Sequence, residues 1–216
     1  GDGVSDDTQA FQTALNAASD GGGGIVFAPT GTYRINQTLT VPKQTTLKGS
    51  AEYPFRDYGT ATKRAGTTLL AFAGKGDEGG TAFITLDGDD TGVVGLSVFY
   101  PEQDANNQQP FVYPPTIQGG NGPNGHDNMS VRNVLLVNSY IGVDFATNPS
   151  GRHYIDGLYG QPLKLGIKVD QCYDIGRIKR IHFWPFWAPA TSAATKWIEQ
   201  NGVTLHLMRT DWEIVE

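Results

Sequence analysis

The chain has 216 residues, of which 38% are hydrophobic and 18% are charged, and its net charge is −6. Charged residues are too few for a coiled coil or a disordered chain, whereas 28 glycines and 12 prolines are typical of a turn-rich β protein. The acidic balance argues against a nucleic acid or an anionic membrane as partner. No apolar run reaches the ~20 residues of a membrane-spanning helix.

A short amphipathic helix is predicted near the N-terminus. Asp6 or Asp7 can cap it, because a carboxylate there accepts hydrogen bonds from unpaired backbone N–H groups of the first turn. Its apolar face, at helical spacing, consists of Phe11, Ala14, Leu15 and Ala18. Glycines 21–24 end the helix, and a first strand then begins in which we expect Ile25 and Phe27 to point inward.

The N-terminal stretch, about residues 1–49, resembles the cap of the pectate-lyase-like (polygalacturonase-like) right-handed parallel β-helix superfamily. The resemblance is carried by GDGVSDDT at 1–8, GGIVFAP at 23–29, GTY at 31–33 and LKGS at 47–50. It implies a helix that closes the open end of a solenoid. Members of this superfamily mostly bind, cleave or epimerise polysaccharides, and some are phage tailspikes.

A step of 23 or 24 residues recurs along the rest of the chain. Val131, Ile155 and Ile178 are 24 and 23 residues apart, and Val143 and Ile167 are 24 apart. Two strand positions therefore advance together, as expected where each coil bonds to the next and stacks its inward aliphatic side chains. We expect these side chains to point inward: Phe11, Leu15, Ile25, Phe27, Leu47, Leu96, Val131, Val134, Ile155, Leu158, Ile167, Val169, Ile178 and Ile181.

The predicted fold is all-β, a right-handed single-stranded parallel β-helix with an N-terminal capping α-helix. A two-sheet β-sandwich is the alternative, and the regular step and the capping helix disfavour it. We expect one domain over 1–216, with the cap and first coil in 1–49 and further coils in 50–216. The predicted inserted loops are 50–66, 101–128 and 183–201. Because no cap follows the last predicted strand, we expect a fragment that lacks C-terminal coils, or a chain that continues into a partner, as in a homo-oligomer.

Aromatic residues follow a strand end near residue 184. Trp184 and Trp187 are separated by Pro185 and Phe186, and an exposed indole offers a flat apolar face to a sugar ring. The alternative is that these rings pack the loop onto the wall of the helix. We predict that Trp184 and Trp187 bind substrate.

Two carboxylates fall on adjacent coils once the loop between them, residues 183–201, is removed from the alignment. Asp174 and Asp211 would then stand ~5–10 Å apart, the range that glycosidases use for an acid and a base or nucleophile. Glu213 is the reserve for either role. The alternative is that both aspartates hydrogen-bond to turn backbone.

Three further residues are predicted to line the same site. Arg177 and His182 are candidates for orienting the substrate or tuning the charge of the carboxylates. His153 could share the cleft, although a satisfied histidine in the wall of the coil is the alternative for both histidines.

Polygalacturonase-type relatives carry Asn-Thr-Asp, Asp-Asp, Gly-His-Gly and Arg-Ile-Lys motifs. Only the last occurs here at a plausible position, as Arg177-Ile178-Lys179, so this resemblance assigns no catalytic residues. A uronate lyase would instead need cations to neutralise a carboxylate, and the candidates are Lys168, Arg177, Lys179 and Arg180.

No metal site and no cofactor are predicted, apart from calcium if the enzyme is a lyase. Cys172 is the single cysteine and is expected to be buried, and the four histidines lack a metal-binding spacing. The favoured function is a secreted or cell-surface glycoside hydrolase that degrades a polysaccharide. The alternatives are a uronate lyase or epimerase and a non-catalytic, tailspike-like glycan-binding module.

Overall fold

The computed structural model describes residues 1–51, 66–120, 122–185 and 187–216. The helices are α1 (Thr8–Asp20) and α2 (Ala193–Asn201). The strands are β1 (Asp2–Asp6), β2 (Gly24–Phe27), β3 (Gly31–Ile35), β4 (Leu39–Pro42), β5 (Thr45–Lys48), β6 (Thr67–Ala71), β7 (Ile84–Asp87), β8 (Gly92–Val94), β9 (Leu96–Phe99), β10 (Pro115–Gly119), β11 (His126–Asp127), β12 (Ser130–Leu136), β13 (Ile141–Phe145), β14 (Ser150–Gly151), β15 (Tyr154–Gly160), β16 (Leu165–Val169), β17 (Cys172–Phe183), β18 (Val203–Leu207) and β19 (Thr210–Val215).

The strands form a right-handed parallel β-helix, which confirms the predicted fold. Six strands make one wall, the six-stranded sheet, in the order β18-β16-β13-β10-β7-β4, and the other strands make a 13-stranded sheet. Val131 pairs with Ile155, and Ile155 pairs with Ile178, while Val143 pairs with Ile167. The step of 23 or 24 residues read from the sequence is therefore the length of the coils that these pairs join.

The long strands of the 13-stranded sheet bend at one stacked corner. The corner residues are Gly95, Asn133, Gly157 and Arg180, with φ between +52° and +76°. Because left-handed backbone turns the chain sharply, β12 can pair through its first half with β8 and through its second half with β9. A side chain before the corner and one after it therefore face different directions.

The interior is filled by aliphatic side chains, mostly as expected. Phe11, Leu15, Leu47, Leu96, Val131, Val134, Ile155, Leu158, Ile167, Val169 and Ile178 are buried. Ile181 is half-buried and packs against this core.

The prediction that Ile25 and Phe27 point inward was wrong. Ile25 is 66% exposed and Phe27 is 55% exposed. Val26 pairs with the buried Leu47 and packs against the core instead. Since strand side chains alternate between faces, an error of one residue in register reverses the whole strand.

Helix α1 closes the first coil. The Asp6 Oδ1 atom accepts a hydrogen bond from the Thr8 N–H at 3.0 Å, while the Asp7 side chain makes no capping bond, so Asp6 takes the predicted role. Phe11 and Leu15 are buried as expected, but Ala14 is exposed, so the apolar face is narrower than predicted.

Two of the predicted loops contain regular structure. Strands β10 and β11 lie within 101–128, and helix α2 lies within 183–201, with the Ser192 side chain capping its N-terminus. Most of the third segment, at 52–65, lies outside the described residues. Within the described part of the chain, neither helix is long and apolar enough to cross a membrane.

Candidate functional site

Asp174 and Asp211 lie on neighbouring coils, as the alignment without the loop predicted. Strand β17 pairs with β19, and the pairs Cys172–Thr210 and Ile175–Trp212 enclose both aspartates, with one extra residue on the β17 side. Both residues are exposed. The catalytic roles assigned to them stay predictions.

Asp174 is the last residue of a hydrogen-bonded series that we name the corner ladder: Asp90, Asn128, Arg152 and Asp174. All four have positive φ. The Asn128 amide donates to Asp90 at 2.9 Å, and the Arg152 guanidinium donates to Asn128 at 3.0 Å and to Asp174 at 3.1 Å. Arg152 also pairs with Asp127 at 2.6 Å, so this exposed turn is cross-linked from coil to coil.

Glu213 does not face the same side as Asp174 and Asp211. Its side chain is 4% exposed, and its Oε1 atom lies 3.0 Å from Nε2 of the fully buried His153. The reserve carboxylate and His153 are therefore inside the coil, where contact with a polysaccharide would require the coil to open. Of the predicted carboxylates, the structure brings together only Asp174 and Asp211.

Cys172 also belongs to this interior group, and it is buried as predicted. Its Sγ atom lies 3.6 Å from His153 Nδ1. Burial, followed by the charge of Glu213, raises the pKa of the Cys172 thiol to about 12. His153, Cys172 and Glu213 each offer a metal-ligating atom, and these atoms lie within 4.8 Å of one another. No spacing pattern in the sequence joins these three residues.

The two tryptophans have different environments. Trp184 is 57% exposed and lines a cleft of about 380 Å³ with Phe183, Pro185, Ile198 and Glu199. Trp187 is half-buried and packs on an apolar cluster outside the coil, whose buried members are Leu70, Phe99, Leu135 and Val137. Trp184 is thus exposed at a cleft, whereas Trp187 occupies the packing position that was the alternative, and the sugar-binding role of both residues stays a prediction. Phe186 lies outside the described residues.

Gln161, which the sequence did not single out, fixes the loop that carries Trp184. Its buried Oε1 atom accepts hydrogen bonds from the backbone N–H groups of Trp187 at 3.0 Å and Ala188 at 2.8 Å. Its Nε2 atom donates to Thr195 Oγ1 at 3.0 Å, so the loop is tied to α2. The buried side chain of Gln161 therefore fixes the loop that forms one wall of the cleft.

The remaining predicted site residues are spread over two directions of β17. Arg177 lies before the corner and pairs with Tyr154 in the neighbouring strand. His182 lies after the corner, with its ring 6.4 Å from the Trp184 ring. The structure thus brings His182 and Trp184 together and places Arg177 on a different face.

The basic residues proposed for a uronate site also differ in their partners and in their positions on the coil. Lys179 forms an ion pair with Glu216 at 2.7 Å, and Arg180 pairs with Asp156. Lys168 lies on the six-stranded sheet, between Asp144 of the previous coil and His206 of the next coil.

Lys168 belongs to a continuous row of outward side chains on the six-stranded sheet, which we name the polar row. The strand registers place its members in line, one per coil: Thr40, Thr85, Gln118, Asp144, Lys168 and His206. Asp144 accepts bonds from its own turn, including the Thr147 hydroxyl at 2.7 Å. Among the described residues, the side chains of Lys168 and His206 have no hydrogen-bond or ion-pair partner.

The polar row runs into a second cleft of about 290 Å³, lined by Thr40, Thr85, Asp87 and Gln118. Asp87 lies 3.6 Å from the ring of His126. Except for Lys168, sequence patterns did not identify this surface, because outward polar residues of a sheet are also typical of plain solvent-facing positions.

Comparison with known proteins supports the fold. Residues 1–89 match the family described as rhamnogalacturonase A/epimerase, pectate lyase-like. The mannuronan C5-epimerases AlgE1 and AlgE5 of Azotobacter vinelandii are 58% identical over 36 residues, which is 17% of this chain and 3% and 4% of theirs.

Solved structures of the same group are similar over most of the chain. The A-module of the Azotobacter vinelandii mannuronan C-5 epimerase AlgE6 gives a TM-score of 0.54 at 17% identity, covering 82% of this chain and 54% of that one. The AlgE4 A-module gives 0.51 at 16% identity, with coverage of 84% and 56%. The chain thus spans about half of each module and a few per cent of the curated epimerases. The chain is a parallel β-helix, and its first 89 residues match that pectate lyase-like family.

Proposed function

We propose that this chain is part of an enzyme that acts on a polysaccharide made of uronates, by removing the proton at C5 of a sugar residue. The observation that carries the proposal is the pair Lys168 and His206, adjacent in the polar row and without partners in the described part of the chain. The similarity to mannuronan C5-epimerases supports this class of reaction. Hydrolysis, which the sequence favoured, becomes the second candidate.

The chemistry needs a cation and a base. Removal of the C5 proton places an electron pair on the uronate carboxylate group, and the Lys168 ammonium would stabilise that charge. The His206 imidazole would accept the proton as the general base. Return of a proton to the opposite face of C5 gives the epimer, whereas breakage of the C4–O bond gives elimination.

The polar row would also position the polymer. Successive coils of the sheet are separated by ~4.8 Å, so its side chains form a regular series of hydroxyl, amide and charged groups along one direction. A polysaccharide chain lying along this row could contact its accessible members, Thr40, Gln118, Lys168 and His206, whereas Thr85 and Asp144 are buried. Such a substrate is extracellular, so we propose a secreted or cell-surface location.

A hydrolase remains the second candidate because Asp174 and Asp211 are exposed on neighbouring coils. In that mechanism one carboxyl group protonates the leaving oxygen and the other activates water or attacks the sugar. The same assay distinguishes the two candidates.

The test uses polymannuronate and polygalacturonate in deuterated water. Deuterium at C5 without chain cleavage indicates epimerisation, unsaturated ends indicate elimination, and reducing ends with neither change indicate hydrolysis. Lys168→Ala and His206→Gln should each lower the rate of C5 exchange by ~10²–10⁴-fold.

Lys179→Ala is the matched control, because Lys179 lies on another face and already pairs with Glu216. It should keep the activity of the unmodified chain. The unmodified chain could instead produce reducing ends without C5 exchange or unsaturated ends. If this product is lost in Asp174→Asn and Asp211→Asn but kept in Lys168→Ala, the enzyme is a hydrolase and the proposal is wrong.

A further inference from the structure

The group inside the coil, His153, Cys172 and Glu213, has no role in the proposed reaction. We name it the interior triad. His153 and Cys172 are almost completely buried, and the Glu213 side chain is 4% exposed. Three chemically reactive groups in a mostly apolar interior need a physical reason, because buried polar groups are costly unless they are paired.

Glu213 is only half satisfied. Its Oε1 atom contacts His153, but its Oε2 atom is buried and has no hydrogen-bond partner among the residues that the structure describes. A carboxylate oxygen without a partner in the interior carries the full cost of desolvation. This oxygen points to a missing positive ligand.

We propose that the interior triad binds one divalent cation of the zinc type. The Cys172 Sγ atom and the His153 Nδ1 atom are 3.6 Å apart, and the His153 Nε2 atom and the Glu213 Oε1 atom are 3.0 Å apart. Zinc binds sulfur at ~2.3 Å and nitrogen or oxygen at ~2.0–2.2 Å, so ligand atoms within 4.8 Å of one another can close on it with small side-chain movements.

The donor set determines the class of metal. A thiolate and an imidazole favour zinc and similar transition ions, whereas calcium and magnesium require oxygen ligands. Binding converts the Cys172 thiol to a thiolate and releases its proton to solvent, and one imidazole nitrogen and the Glu213 carboxylate complete three protein ligands. The second carboxylate oxygen or a water would fill the fourth position.

Gly176 makes room for this arrangement. It lies in the coil between His153 and Glu213, since Tyr154 pairs with Arg177 and Gly176 pairs with Glu213. A Cβ atom on Gly176 would collide with the Glu213 carboxylate and the His153 ring. The glycine thus lets a side chain from one coil reach a side chain two coils away.

The test is titration of the chelator-treated chain with Zn²⁺ and with Co²⁺, which reports sulfur coordination by its spectrum. We expect one equivalent of Zn²⁺ per chain, a sulfur-to-cobalt charge-transfer band, and a rise in melting temperature with metal. Cys172→Ser should abolish the band, and Glu213→Gln should weaken zinc binding by more than about tenfold. Since Cys172 is the only cysteine, its protection by zinc from a thiol reagent gives a second measurement.

Glu199→Gln is the matched control, because Glu199 is exposed and lies in the Trp184 cleft, outside the interior triad. It should bind zinc as the unmodified chain does. Failure to bind zinc, absence of the charge-transfer band, or equal affinity in Glu213→Gln would overturn the proposal and leave a hydrogen-bonded thiol–imidazole–carboxylate group. If a variant does not fold, thiol protection in the unmodified chain alone decides: no protection by zinc refutes the site.

Discussion

Arg152 and His153 are consecutive in the sequence but belong to opposite environments. Arg152 extends from the turn into the exposed corner ladder, where it pairs with Asp127 and Asp174. His153 points into the coil and contacts Glu213 and Cys172. One step along the backbone therefore separates a solvated network of charges from a sequestered one.

Hydrogen bonds and ion pairs of the same kind therefore contribute differently to stability in the two environments. Ion pairs at a surface are weakened by water and salt and contribute little to stability. A buried pair is different, because removal of one partner leaves the other polar group without water. We therefore expect the interior triad to be far more sensitive to substitution than the corner ladder, although the ladder has more hydrogen bonds.

The largest effect should come from His153→Leu, measured by urea unfolding in the presence of a chelator. This change leaves the Glu213 carboxylate buried without its partner, and the expected loss is ~3–5 kcal/mol in the free energy of unfolding. The double variant His153→Leu/Glu213→Leu removes both polar groups and should recover most of that loss. Equal stability of the single variant and the unmodified chain would contradict the comparison.

An intermediate effect is expected for Asp170→Asn, which tests the ion pair between the largely buried Asp170 and the exposed Arg209. Arg209 donates to Asp170 at 2.6 Å, and this charged bond holds the pKa of the Asp170 carboxyl well below its usual value. The resulting stability is complete above the unfolded aspartate pKa of ~3.9 and is lost as the pH falls through the lower native pKa.

Asp170→Asn should thus be less stable than the unmodified chain at neutral pH, with the difference shrinking under strongly acidic conditions. Chemical unfolding at a series of pH values measures it. A difference that grows as the pH falls would show that the sign of the linkage is wrong.

The smallest effect should come from Arg152→Ala in the corner ladder. Loss of these exposed contacts should lower the free energy of unfolding only slightly, and the loss should vanish at ~1 M salt, where the Debye length is ~3 Å. A loss as large as that of His153→Leu that persists in salt would show that the corner ladder stabilises the fold as strongly as the interior triad.

The sequence was sufficient for the fold because the coil repeats. A step of 23 or 24 residues fixes which aliphatic residues stack, and the strand pairs of Val131, Ile155 and Ile178 follow it. Strand β2 escaped this logic, because the first coil has no preceding repeat to align against. Its register was therefore set by hydrophobicity alone, which favoured Ile25 and Phe27 over the single residue Val26.

The candidate site was harder to predict because it depends on which face of the coil each side chain occupies. The adjacency of Asp174 and Asp211 could be inferred from the repeat, but the inward direction of Glu213 depends on one extra residue in β17. The interior triad joins residues 153, 172 and 213, and no spacing pattern in the sequence marks such a set. The polar row consists of ordinary outward residues whose alignment appears only once the coils are stacked.

Gly176 has a consequence for how the molecule would unfold. In solenoid proteins each repeat normally interacts only with its neighbours, so end repeats can fray one at a time. The contact between Glu213 and His153 passes over the coil that contains Gly176 and couples next-nearest coils. Opening of β19 alone therefore breaks a bond to β15's coil as well, and hydrogen exchange in β17 and β19 should proceed as one cooperative unit rather than as successive fraying steps.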